Sequence, residues 1–165
     1  ARRLHRALEA EAVAPGRDGR RPAGRLPGPP GTGAPARATA CLYVHYTGWL
    51  TDGTKFDSSH DTTAKGAPRP PISFPQGYRR VIAGWDAGVE GMRVGARRRL
   101  IIPYQLAYGE RGRPAVIPPR ATLIFDTELM AVADTLPRTD TTAVRAPGGV
   151  PQCAPWAAVN AVHSR

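Results

Sequence analysis

The chain has 165 residues, with 18 glycines, 18 prolines, two cysteines and a net charge of +10, which suits one domain of about 100–150 residues with extensions. No apolar run approaches the roughly 20 residues of a membrane span, and the opening ARRLHRALEAEAVAPG lacks the apolar stretch of a secretory signal. Cys41 and Cys153 have neither metal-ligand spacing nor the density of a disulfide framework, and four histidines sit in unrelated contexts, so neither a membrane span, a metal site nor a disulfide framework is expected, and a soluble, reducing, cytoplasmic setting is.

The basic excess is uneven. Residues 1–40 carry eight arginines against three acids, 41–132 carry twelve basic residues against eight acids, and 133–165 carry three against two. A basic flank gives weak, non-specific attraction to nucleic acid a physical basis; a compositional bias towards Arg, Ala, Gly and Pro explains it as well, and a nucleic-acid partner is otherwise not expected. Residues 15–37 contain six prolines and six glycines with Leu26 as their only large apolar residue, too few to offset the entropy of ordering. Residues 1–40 are therefore predicted as a mobile flank with a possible first strand at 8–13. Residues 41–132 form the domain, and 133–165 a mobile C-terminal tail.

In chain order, Leu42, Val44 and Tyr46 alternate with Tyr43, His45 and Thr47, the period of a strand with two distinct faces. Asp52-Gly53 offers a positive-φ turn, and Lys55, Phe56 and Asp57 begin the return strand. Ile82, Trp85, Val89 and Met92 fall on one face of a short helix that Gly95 can close. Arg97, Arg98 and Arg99 lead directly into Leu100, Ile101 and Ile102, which suggests a solvated strand start rather than a nucleic-acid site. In the last run, Leu123, Phe125 and Leu129 oppose Asp126 and Glu128, as in a sheet with one buried face. The predicted class is α+β, an antiparallel sheet with one short helix on a face.

Tyr46, Phe56, Phe74, Trp85, Tyr108 and Phe125 come from six different segments. Six such rings are accounted for by a core alone; what distinguishes them is that two are tyrosines, whose hydroxyls need partners when buried, and that Asp57 directly follows one phenylalanine.

The runs VHYTGWLTDGTKFDSS, RVIAGWDAGVEGMRVGARRRL, LAYGERG and VIPPRATLIFDTEL, in unbroken order, closely resemble the FKBP-type peptidyl-prolyl cis-trans isomerases. The resemblance implies a twisted antiparallel sheet wrapped around a short helix, and rotation of X-Pro bonds in an aromatic pocket without covalent, metal or cofactor chemistry. By the same resemblance Tyr46, Phe56, Asp57, Ile82, Trp85, Tyr108 and Phe125 are the catalytic set. Phe74, Val81, Arg113, Val116 and Ile117 complete the substrate-binding walls. Trp85 is the expected floor, the Ile82 N–H and the Tyr108 hydroxyl the expected donors to a substrate carbonyl, and Asp57 a buried acceptor held by Tyr46. Read without the resemblance, Asp57 serves equally as a turn cap at a strand end. Proline-containing polypeptides, and rapamycin or tacrolimus, are the implied ligands.

Four departures stand out. Ile72 replaces a common aromatic, and Phe74 is followed by Pro-Gln-Gly. Residues 60–71 form a longer, proline-bearing loop beside the pocket, and Arg113 stands where compact members often carry histidine. A non-catalytic module that holds proline peptides or macrolides in the same slot is the alternative.

Overall fold

The computed structural model describes residues 24–135 and 151–163. In chain order these form β1 (Gly24–Pro27), β2 (Cys41–Leu50), β3 (Lys55–Ser58), β4 (Ile72–Pro75), helix α1 (Ala83–Gly88), β5 (Arg97–Ile102), a 3-10 turn (Tyr104–Leu106), β6 (Leu123–Ala133) and helix α2 (Trp156–His163). Every strand pairing is antiparallel, in the order β1-β5-β6-β2-β3. β4 shares one edge of β2 with β3: β3 pairs with Thr47–Trp49, and β4 with Cys41–Val44. The expected α+β arrangement of a twisted antiparallel sheet and a short helix is borne out.

The core lies on the inner face of the sheet, where Leu42, Val44, Tyr46, Leu100, Ile102, Leu123, Phe125 and Leu129 meet Trp85, Val89 and Met92 from α1 and the turn after it. The long β2–β6 ladder slips between Tyr43 and Val44, so Met130 is left out of the register. That bulge flips the alternation. Leu129 faces the inner core, Ala131 the outer face, and Val132 packs inwards again.

The basic triplet divides by the same alternation. Arg97 and Arg99 reach Glu128 and Asp126 on the neighbouring strand, at 3.1 Å and 2.6 Å. Arg98 turns to the other face and donates to the carbonyls of Gly88 (2.6 Å) and Glu90 (2.9 Å), which the end of α1 leaves without helical partners. The expected strand start is thus found, with one arginine used as a helix cap.

Helix α1 ends well before Gly95, its predicted stop. Gly91 takes φ 72° and breaks the helical path, while Val89 and Met92 stay buried on the predicted face. Gly95 instead turns the chain into β5, its N–H bonded to the Leu129 carbonyl at 2.8 Å.

Both flanks are corrected where they are described. Gly24–Pro27 pairs with β5, and the chain beyond it lies along residues 92–97 through backbone hydrogen bonds such as Gly33 to Val94 (3.1 Å) and Ala36 to Met92 (2.6 Å). Backbone pairing orders a segment that its side chains alone would not. The approach is close enough that a Cβ on Gly31 would lie 2.4 Å from the Ala96 nitrogen, so the glycine content serves contact rather than looseness. The strand predicted at 8–13, and most of the basic flank, lie outside the described residues.

At the other end, residues 151–163 are not a loose tail. Cys153 forms a disulfide with Cys41 across a separation of 112 residues, against the expectation that neither cysteine would pair. Tyr43 donates its hydroxyl to the Ala154 carbonyl at 2.7 Å and its ring meets Trp156 at 5.6 Å. With Ala131 and Val159 these residues form a second, smaller core on the outer face. Spacing along the chain carried no sign of this pairing, because only the docking of α2 on β2 brings the thiols together.

Candidate active site

β2 and β3 supply one wall of a cleft. Tyr46 projects from β2; Phe56 and Asp57 project from β3, just after the Asp52-Gly53 turn that returns the chain (φ of Gly53 90°). β4 contributes Ile72, the segment before α1 contributes Val81 and Ile82, and α1 itself places Trp85. The loop after the 3-10 turn brings Tyr108, Arg113 and Val116, and β6 brings Phe125. The enclosed volume is about 700 Å³, within the range of small-molecule and peptide side-chain sites.

Trp85 is the floor. It is 4% exposed, and three rings meet it edge to face: Tyr46 at 5.1 Å, Phe125 at 5.3 Å and Phe74 at 5.9 Å. Phe56 in turn stands perpendicular to Phe125 at 5.5 Å. Such pairs are worth about 0.5–1.5 kcal/mol each beyond their buried area, so ring packing holds the box, with Tyr46 its one polar tie through Asp57. Gly48 makes the packing possible. A Cβ there would lie 2.6 Å from Phe56 Cζ and 2.8 Å from Phe125 Cε1.

The polar edge is built on Asp57. Its Oδ2 accepts from the Tyr46 hydroxyl at 2.5 Å, and its Oδ1 from the Ser58 N–H at 2.9 Å and Arg69 Nη1 at 3.0 Å. Partial burial pushes its pKa up, but the bonds from Tyr46, Arg69 and Ser58 outweigh it and hold the carboxyl below the usual aspartate value. Tyr46 is raised well above an ordinary phenol, first by burial and then by donation to this carboxylate. The edge therefore carries an ionised acid that is already fully engaged. Asp57 accepts from Tyr46 as expected, though its side chain is 37% exposed rather than buried.

Two donors remain for a ligand. Ile82 is the N-cap of α1, where the N–H lies outside the helical ladder, and it has no hydrogen-bond partner among the described residues. The Tyr108 ring is 37% exposed, and its hydroxyl likewise has no hydrogen-bond partner among them. The Tyr108 loop is fixed by backbone bonds from Gly109 to Tyr104 (2.8 Å) and from Arg120 to Gly109 (3.2 Å).

Ten of the twelve predicted site residues line this cleft. Phe74 and Ile117 do not. Phe74 is 2% exposed and packs behind Trp85, because in β4 it is Ile72, two positions earlier, that reaches the mouth. Ile117 is 3% exposed and ties the loop to itself, exchanging 2.8 Å backbone bonds with Arg113. The sequence reading did not assign Arg69, Arg79 or Arg80 to the site, all of which line it. Arg69 arrives on the long 60–71 loop and also donates to the Ser58 carbonyl at 2.7 Å. The prolines around it were a sign of a stiff loop, not of its reach.

A second groove of about 600 Å³ crosses the outer face of the sheet. It is lined by the cross-strand pairs Arg97–Glu128 and Arg99–Asp126 together with Trp49 and the stacked His45 and His60, and we read it as surface. Among the described residues no group of three or more potential metal ligands comes together, and no helix is long and apolar enough to cross a membrane.

The model of the FKBP-type peptidyl-prolyl cis-trans isomerase family matches residues 33–130. An FK506-binding protein of Neisseria meningitidis serogroup C is 53% identical over 91 residues, which span 55% of this chain and 78% of that protein. The peptidyl-prolyl cis-trans isomerase FPR2 of Saccharomyces cerevisiae is 58% identical over 90 residues, 54% of this chain and 62% of its own. A solved peptidyl-prolyl cis-trans isomerase from Pseudomonas syringae pv. tomato superposes with a TM-score of 0.60 at 33% identity, covering 81% of this chain and 90% of that one. The family match takes in every residue of the cleft, and the chain belongs to the FKBP-type peptidyl-prolyl cis-trans isomerases.

Proposed function

We propose that the Trp85 cleft is where this isomerase binds the proline ring of a polypeptide and lets the preceding amide twist. The observation that carries the reading is the closed aromatic box around Trp85 with two unused donors, Ile82 N–H and Tyr108 O–H, at its rim. The planar amide is the more charge-separated form, and rotation about it crosses a barrier of about 18–20 kcal/mol at which resonance is lost. Apolar walls in place of water disfavour the planar form relative to the twisted one. Trp85 and Phe125 hold the ring, while Ile82 and Tyr108 donate to substrate carbonyls and keep the flanking chain in place. Asp57, locked by Tyr46 and Arg69, sets the polar edge without exchanging a proton. Rotation breaks no covalent bond, so the step needs neither nucleophile nor general base.

The biological role that fits is assistance to folding, since uncatalysed X-Pro isomerisation takes tens to hundreds of seconds. The same slot is the proposed site for rapamycin or tacrolimus. The cytoplasmic expectation rested on the cysteine spacing and on the lack of a secretory-signal stretch; a disulfide such as Cys41–Cys153 persists mainly in oxidising compartments, and folding of exported chains is the setting we favour. The test is cis-to-trans relaxation of a short X-Pro peptide with catalytic amounts of the full chain, with and without rapamycin. Acceleration that equimolar rapamycin abolishes is expected. Full activity indifferent to the drug would mean that the chemistry lies elsewhere or that the rim excludes macrolides.

A further inference from the structure

The rim of the cleft is positively charged beyond what its own acid needs. Arg69, Arg79, Arg80 and Arg113 line it together with a single acid, Asp57, and Arg69 is already engaged with that carboxylate at 3.0 Å. The other three side chains are exposed and have no acidic partner among the described residues. Asp86, the nearest acid in sequence to Arg79 and Arg80, spends its carboxylate on the backbone N–H groups of Gly77 (3.1 Å) and Arg79 (3.2 Å).

Their positions are set by the backbone. Arg79 and Arg80 immediately precede Val81 and Ile82, in a turn that the Asp86 bonds hold fixed at the start of α1. Arg113 stands in the Tyr108 loop, locked by its paired bonds with Ile117. The cations therefore border the same two segments that carry the free donors, Ile82 N–H and Tyr108 O–H. A peptide held by those donors runs its proline-flanking residues past the guanidinium groups. Positive charge at the mouth of an apolar, low-dielectric slot is focused towards the ligand.

We propose that this rim makes the enzyme discriminate between charged residues before proline, turning over X-Pro bonds with an acidic residue there faster than those with a basic one. The proposal rests on the reading of the cleft as the isomerase site. Three exposed guanidinium groups acting together are each worth little but share one sign. Discrimination between Glu and Lys before proline of about tenfold in kcat/KM is expected at low ionic strength. Near 1 M salt, where the Debye length falls to about 3 Å, the gap should close.

The experiment measures the full chain on three peptides identical except for Leu, Glu or Lys before proline, across a salt series, and repeats it with R79E/R80E/R113E. Faster turnover of the Glu peptide than of the Lys peptide, lost with salt and inverted in the charge-reversed variant, is the predicted result. Equal rates for Glu and Lys in the unaltered protein overturn the proposal, as does a preference that ignores salt. The wild-type salt series decides the matter even if the variant does not fold. Failure of the underlying site reading looks different: the folded chain would accelerate none of the three peptides.

Discussion

His45 shows how one side chain on the outer face links pH to stability. It stacks on His60 at 4.8 Å and its Nδ1 pairs with Ser59 Oγ at 2.9 Å. Burial, then the neighbouring His60, push its pKa below the ordinary histidine value, and Glu128 opposes them only in part. A group whose folded value is depressed stabilises fully above its unfolded value and loses that contribution as pH falls towards the folded one. The thermal midpoint should therefore decline on acidification through and below about pH 6.5. His45→Gln should flatten that decline, and a variant as pH-sensitive as the parent would place the titration elsewhere. At the same scale, Asp57 was legible because the residues around it match a known pattern. Arg69, its ion-pair partner at 3.0 Å, was not, because a loop of altered length hides which residue will reach back.

Elements were legible where the signal is local. The alternation in β2 and β6 and the spacing of Trp85, Val89 and Met92 each report a buried face, and those faces are buried. The end of α1 was misread because Gly91, not Gly95, takes the positive φ that breaks the helical path, and the strand β1 because it is decided by long-range backbone pairing with β5. The largest omission was α2 with its disulfide. The bond closes a span of 112 residues, for which chain entropy alone allows about 4–5 kcal/mol as an upper figure. Reduction, or Cys153→Ser, should lower the melting temperature by roughly 5–10 °C and expose the Cys41, Tyr43 and Ala131 patch. Isomerisation of a short peptide should change by less than about twofold, since α2 packs on Tyr43 and Ala131 on the face opposite Trp85 and only residues 151–153 approach the cleft rim, beside Ile72, Arg80 and Val81. A loss of activity as large as the loss of stability would mean that α2 supports the cleft directly.

For the molecule as a whole, one sheet separates two tasks: its inner face carries the aromatic cleft, and its outer face the clasp. The site was largely readable from sequence because the runs that carry it match a family pattern in unbroken order; aromatic identity at six separate segments is by itself accounted for by a core. Depth was not readable. Phe74 and Ile117 match the pattern yet lie behind the walls, as only the structure reveals that half-buried Ile72 is the β4 residue at the mouth. The most direct test compares cis-to-trans relaxation rates of one X-Pro peptide for the wild-type chain, Asp57→Val and Phe125→Tyr, on samples whose folded fraction is fixed by circular dichroism. The wild type should accelerate relaxation and each variant should lose about tenfold or more in kcat/KM, equivalent to about 1.4 kcal/mol of transition-state stabilisation, with a smaller loss of folding free energy. A folded wild type that leaves the peptide at its uncatalysed rate, or variants that keep full activity, would contradict the assignment of the cleft.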